Sequence, residues 1–401
     1  MVRIVTSLLA GRREPSRARR FFALALLLAP CTHAEPLDWI ACVAGNQHGA
    51  EILLLDPKAE AAPISLGRCV PDTRPAWSRD GRVLAYEGID SKTERHHVTW
   101  SAWDEAGARV DGSLGDGYFR YRHPALSPDG RYIACEAYKE EPQQSALLVI
   151  DRETGAQQVW GGARRALYQP VWLPNPRLLL SIDPAKTGEV PGVDVEAVRR
   201  ESGLSTGEAL SGGPTRALFA IGLDAGPDGL TTELLLLTET QAVPVLAFVP
   251  DAPPSIRYSE WNPSVSPGGT RIAFESDLGG DREIYLLDQY GLRNRSNHRA
   301  ADWNPVWAAN GRWIAAETFR EGKRGLCRMM ADTQQVILLP RENDAAYWSP
   351  SWSPKGDKLA CVTGSENATA IAVFDTEDEA WSRLPGPEGK ACWAPAWRPR
   401  K

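Results

Sequence analysis

Residues 263–275 read PSVSPGGTRIAFE, and residues 124–136 read PALSPDGRYIACE. In both, a proline, an apolar residue, a Ser-Pro, a glycine turn and a short apolar run follow in one order. The phrase returns as PAWSRDGRVLAYE from Pro75, PVWLPNPRLLLSI from Pro170, PVWAANGRWIAAE from Pro305 and PSWSPKGDKLACV from Pro350. A truncated copy, PAWRPRK, ends the chain from Pro395. Successive prolines stand 49, 46, 93, 42, 45 and 45 residues apart. ALSGGPTRALFAI, from Ala209, reads as a degenerate copy with its proline displaced, and it divides the interval of 93.

A period of about 40–45 residues is that of a four-stranded propeller blade. In the copy from Pro263, PSVS gives a first strand, RIAFES a second and, after the polar turn DLGGD, EIYLLD a third. The copy from Pro124 continues with ALLVID and QQVWGG as third and fourth strands. Short β-branched and aromatic runs bounded by Gly, Asp and Pro favour strands over helices. The two ends of the chain complete each other. Residues 39–56, WIACVAGNQHGAEILLLD, supply second and third strands with no first, whereas CWAPAWRPRK at the C-terminus is a first strand with nothing after it. Pairing the termini in one blade accounts for both fragments and removes exposed sheet edges. The expected fold is an all-β propeller of four-stranded blades spanning residues 35–401, with eight blades favoured over seven. Seven follows if residues 170–262 form one blade with an insertion such as VDVEAVRRESG at 193–203.

SPDGRYIA from Ser127 and the stretch from Ser266 to Asp288 resemble the repeat of TolB-type propellers, a WD40-like unit in which a Trp-Ser-Pro-Asp-Gly turn leads into an Ile-Ala-Phe-like strand. The resemblance covers nearly all of the chain after Ala34. TolB carries a separate α/β domain before its propeller, and here the first blade begins within a few residues of Ala34. The resemblance therefore implies the fold, and a role in the Tol–Pal envelope system only by analogy.

The first 34 residues read as a removable leader. Arg12, Arg13, Arg17, Arg19 and Arg20 precede the apolar run Phe21 to Ala29, and small residues follow at Thr32 and Ala34. The run is far shorter than the roughly 20 residues of a spanning helix. A periplasmic or secreted protein is expected, by general secretion ahead of the twin-arginine route that Arg19-Arg20 and Phe22 suggest. Cys31 as a lipid anchor is disfavoured by Pro30 beside it. Removing the leader takes away six arginines and Glu14 and leaves an excess of 11 acidic over basic residues. No basic patch for nucleic acid is visible. Six cysteines remain, an even number that permits disulfides in an exported chain, with 15 possible pairings.

Catalytic motifs are few. Gly203-Leu204-Ser205-Thr206-Gly207 matches the GxSxG pattern, but the only histidine after it is His298 and no hydrolase domain has room beside the repeats. A turn is the better reading. His48, His96, His97, His123 and His298 fall in different repeats, and neighbours such as His96 and His97 point to opposite faces of a strand. No metal site or cofactor is expected.

Two repeated positions are candidate partner-binding sites. Two residues before the repeat proline stand Tyr168, Trp261, Trp303, Trp348 and Trp393, at the entry to each innermost strand. Aromatics there suit stacking on a sugar or gripping a peptide, and packing between blades explains them as well. Trp77, Trp172, Trp307, Trp352 and Trp397 are assigned to packing. Glu87, Glu136, Glu275 and Glu317 each close a second strand and form either a repeat-copied feature or an acidic collar. The leading expectation is a monomeric, non-catalytic scaffold for a protein or peptide, without a membrane span. A carbohydrate-binding or lyase-like propeller is the alternative.

Overall fold

The repeat phrase builds a strand, a tight turn and a second strand. Ser78 N–H donates to the Val83 carbonyl (2.7 Å), and Gly81 N–H donates back to the Ser78 carbonyl (2.9 Å). The Ser78 hydroxyl donates to Asp80 and accepts from Val83 N–H. Ser127, Asp129 and Tyr132 repeat this arrangement, as do Ser353, Asp357 and Lys358. The turn glycines Gly81, Gly130, Gly269, Gly311 and Gly356 have φ between 68° and 72°. That left-handed conformation costs a residue with a Cβ more than it costs glycine, which explains why the repeat carries Gly there.

The computed structural model describes residues 38–46, 48–115, 120–139, 144–161, 167–173, 177–182, 213–226, 229–235, 257–288, 290–342, 344–365 and 368–400. Residues 1–34, read above as a leader, the GxSxG stretch and residues 193–203 lie outside them. Every element among the described residues is a strand, and the sheets are almost wholly antiparallel. The strands follow the chain in groups of four, as a propeller-like architecture requires. In the copy from Pro305 the group is Asp302–Trp307, Trp313–Thr318, Gly325–Met330 and Val336–Leu338, hydrogen-bonded in that order.

The termini pair as expected. Ala391–Trp397 lies antiparallel to Ile40–Asn46, with Ile40 opposite Trp397 and Gly45 opposite Ala391. Gly49–Leu55 and Ile64–Cys69 complete that group. The stretch read as a degenerate copy from Ala209 supplies Gly213–Gly226, which pairs beside Arg177–Ile182 as the third strand of the group begun at Leu167–Trp172. Gly229–Leu235 is its fourth strand.

The first strands differ from expectation in one respect. Six begin three to six residues before the proline, at Arg120, Leu167, Arg257, Asp302, Tyr347 and Ala391, whereas Ala76–Trp77 begins just after Pro75. The proline therefore sits inside the strand, at a register shift such as the one between Trp303 and Val306. Its missing N–H is tolerated there because the innermost strand has an unpaired edge. The residue before each of these prolines is left-handed: His123, Gln169, Asn262, Asn304, Ser349 and Ala394 have φ between 45° and 54°. Asn and His accept this conformation more readily than most residues, and a β-bulge with stronger local twist results.

Apolar faces of neighbouring groups pack together. Ile40, Cys42, Leu53 and Leu55 share one cluster with Ala360, Val362, Ile371 and Trp397, which joins both ends of the chain to the preceding group. Indole N–H groups pin the first strands side by side. Trp77 donates to the Ala396 carbonyl, Trp172 to that of Ala125 and Trp352 to that of Val306, each at 3.0 Å. These tryptophans pack between groups, as their repeat position suggested.

Candidate functional site

The register shift before each repeat proline brings three side chains to the start of the innermost strands. Trp261 lies opposite Glu275, and Trp303 opposite Glu317, across the first two strands of their groups. Arg122 takes the equivalent place opposite Glu136. The left-handed residue that follows turns its side chain toward the same glutamate. Asn304 Nδ2 donates to Glu317 Oε1 (2.9 Å), Asn262 Nδ2 donates to Glu275, and His123 Nδ1 contacts Glu136 (3.2 Å).

The glutamates also reach the next group along the chain. Tyr121 N–H donates to Glu87 (2.9 Å), Asn304 N–H to Glu275 (2.6 Å) and Ser349 N–H to Glu317 (3.1 Å). Gln169 substitutes for a glutamate at one junction, its Oε1 accepting from Asn262 N–H (2.9 Å). A relay therefore runs from Gln169 through Asn262, Glu275, Asn304 and Glu317 to Ser349.

This placement changes the reading of the acidic collar. Glu87, Glu275 and Glu317 are 1% exposed and Glu136 is 6% exposed. Each also meets a basic side chain: Arg120 and His96 at Glu87, His123 at Glu136, Arg282 at Glu275 and Arg324 at Glu317. Burying a carboxylate is costly unless donors and a counter-charge surround it, and arginines supply that charge at Glu87, Glu275 and Glu317. Burial pushes the Glu275 carboxyl above the usual carboxylate range, against the opposing pull of Asn262, the Asn304 N–H and Arg282. Glu87, Glu275 and Glu317 join neighbouring groups, and none of the four glutamates faces solvent as a collar.

The aromatics stay partly accessible. Trp261, Trp303, Trp348 and Trp393 are each half-buried. Arg282 lies over the Trp261 ring at 4.9 Å. Arg324 lies 5.9 Å from the Trp303 ring centre and 5.2 Å from that of Trp348, so one guanidinium serves two neighbouring groups. Such stacking is worth about 0.5–1 kcal/mol at exposed sites. Trp393 instead donates to the Pro71 carbonyl (2.6 Å). Tyr168 occupies the equivalent strand position, and only its backbone is described.

Sequence reasoning missed Arg282, Arg324 and Arg120, which come from turns and strand starts outside the repeated phrase. The Asn-Pro pairs at 262–263 and 304–305 were a legible signal for the relay. Beyond the prolines, a cavity of 810 Å3 is lined by the far halves of the first strands, including Trp77, Trp172, Ser264, Trp307, Ser351 and Trp352. Arg79 stands there where most copies carry proline, and its guanidinium donates to the Pro267 carbonyl. Among the described residues no three His, Cys, Asp or Glu side chains cluster as metal ligands, and no helix is long and apolar enough to cross a membrane.

Residues 252–400 match the family model of the TolB beta propeller domain. No curated protein matches the sequence. Among solved structures, a functionally unknown protein from Desulfotomaculum acetoxidans DSM 771 superposes with a TM-score of 0.53 at 9% identity, over 90% of this chain and 99% of that one. Dihydro-heme d1 dehydrogenase NirN in complex with DHE gives 0.52 at 13% identity, over 91% of this chain and 77% of that one. A prolyl endopeptidase, from a study of inter-domain dynamics in catalysis and specificity, gives 0.51 at 14% identity, over 79% of this chain and 42% of that one. At these identities the likeness is one of fold. The family match and the shared architecture support a TolB-type β-propeller domain.

Proposed function

We propose that the chain is an exported, non-catalytic propeller scaffold that grips a protein or peptide at the mouth formed by the starts of its innermost strands. Residues 35–401 are one propeller in this reading, delivered to the periplasm or beyond by the leader at 1–34. Seven blades suit this reading: the described strands fall into seven groups of four, with Gly213–Gly226 in the group begun at Leu167. The proline spacing by itself favours eight.

The observation that carries the proposal is the row of half-buried tryptophans Trp261, Trp303, Trp348 and Trp393 at equivalent positions, with Arg324 stacked between two of them. Tryptophan and arginine together supply apolar area and directed donors at low conformational cost, the combination that dominates binding energy at protein interfaces. The buried glutamates beneath hold the strand starts in place, so the aromatics are presented on rigid backbone. Trp303→Ala with Trp348→Ala is expected to abolish capture of a stoichiometric protein partner from envelope extract, while the circular dichroism spectrum and melting behaviour stay those of a folded protein. Undiminished capture by the double variant would refute the site. Capture of glycans but no protein by the wild type would favour the carbohydrate reading.

A further inference from the structure

Six cysteines are described, and all are buried. Cys69, Cys135, Cys327 and Cys361 belong to four different apolar clusters, none of which holds a second cysteine. Cys42 and Cys392 share one cluster, and they lie on the two strands that bring the chain ends together. Ala44 is directly opposite Cys392, and Cys42 is two residues further along the same face of its strand. Cys42 also faces the irregularity in the partner strand, where Ala394 and Pro395 occupy the space of one residue. The Cys42 and Cys392 side chains share a hydrogen bond.

We propose that Cys42 and Cys392 are joined by a disulfide that locks the terminal strands together once the chain is exported. The proposal rests on the export reading for its oxidising compartment, where such bridges persist. Its geometry rests on the strand pairing alone. The chemistry is thiol–disulfide exchange with an external protein disulfide or glutathione disulfide. The Cys392 thiolate attacks one sulfur of the oxidant. The oxidant's S–S bond breaks and its other half leaves as a thiolate. Cys42 then loses its proton, its sulfur attacks Sγ of Cys392, and the second half of the oxidant departs. The two cysteines lose two electrons and two protons, and one external disulfide becomes two thiols.

The hydrogen bond with Cys42 and the nearby Lys390 ammonium hold the Cys392 thiol below its ordinary range against the opposing effect of burial. Cys42 is held well above its range by that same bond and by complete burial. Cys42 is 0% exposed and Cys392 2% exposed, so exchange runs while Ala391–Trp397 is still undocked. The closed ring then shields the bridge from reductant.

The test is a non-reducing peptide map of the chain isolated from its own cells, with free thiols alkylated under denaturing conditions. A second sample is unfolded in reductant and refolded in a glutathione redox buffer. In both, the peptide holding Cys42 is expected to be linked to the peptide holding Cys392, with the other four cysteines alkylated. Reductant is expected to lower the urea midpoint of the wild type and to leave that of Cys392→Ala unchanged. A chain with its leader removed in which Cys42 and Cys392 are both alkylated would overturn the bridge and leave the export reading intact. A chain that retains its leader would overturn export, and the refolded sample then decides the pair. Glutathione adducts or free thiols at those two positions count against the bridge.

Discussion

Glu317 holds three donors at once: Ser349 N–H on the next group, Asn304 Nδ2 on its own innermost strand, and Arg324 Nε at 2.6 Å. Hydrogen bonds to a charged acceptor contribute about 1.5–3 kcal/mol, and a buried donor left unpaired costs about as much. Glu317→Gln keeps the shape and replaces one acceptor oxygen with an NH2 that faces donors. We expect it to destabilise the fold by about 2 kcal/mol, read as a lower urea midpoint at unchanged slope. A shift within about 0.5 kcal/mol, the range of ordinary surface substitutions, would mean that the latch contributes little. At this scale the sequence was only partly legible. The repeat position of Glu87, Glu136, Glu275 and Glu317 stood out, but whether a strand-end acid is solvated or buried depends on the group packed against it. Those donors lie 29–34 residues away for Glu275, Glu317 and Glu87, beyond the reach of any local pattern. Arg324 was illegible because its turn, REGKRG, belongs to no repeated phrase.

Strands were easier to read than their limits. IAFES and EIYLLD became Ile272–Ser276 and Glu283–Asp288, because their apolar character and flanking turns act locally. The innermost strands began earlier than expected, since proline normally argues against a strand interior and only the unpaired inner edge relaxes that rule. The terminal group offers a test of how one element is held. Lys390, just before Ala391–Trp397, pairs with Glu51 on Gly49–Leu55, and the Ser65 hydroxyl also donates to that carboxylate. Burial pushes the Glu51 carboxyl upward, but the hydrogen bonds from Lys390 and Ser65 and the Lys390 charge outweigh it and hold it below the usual range. A carboxylate with a lowered folded-state pKa contributes stability above its unfolded pKa and loses it as pH falls through the folded value. Glu51→Gln is therefore expected to be less stable than wild type at neutral pH, with the difference shrinking at about pH 3, below the ordinary glutamate pKa. Paired urea titrations at the two pH values check this. An equal difference at both would assign the effect to packing. The pair is partly exposed, so added salt should also narrow the gap.

Over the whole molecule, the two unmatched ends were the most informative feature of the sequence. A second strand without a first and a first strand without a second pointed to one shared sheet, and Ile40–Asn46 does pair with Ala391–Trp397. The grouping of strands was harder to read where the interval from Pro170 to Pro263 combines Pro214 with an apolar run patterned like a repeat copy. Its role as the third strand of an existing group is set by pairing with Arg177–Ile182, which no local pattern encodes. The proposed scaffold requires a rigid ring, and the ring requires its closure. Hydrogen exchange on the intact chain and on one ending at Lys390 tests that requirement directly. Removing residues 391–401 strips Trp397 and Cys392 from the cluster containing Ile40, Cys42, Leu53 and Leu55. Closure through the termini predicts that amides across Ile40–Leu55 then lose at least a hundredfold of their protection and that the unfolding midpoint falls. Unchanged exchange across Ile40–Leu55 with an unchanged midpoint would contradict it.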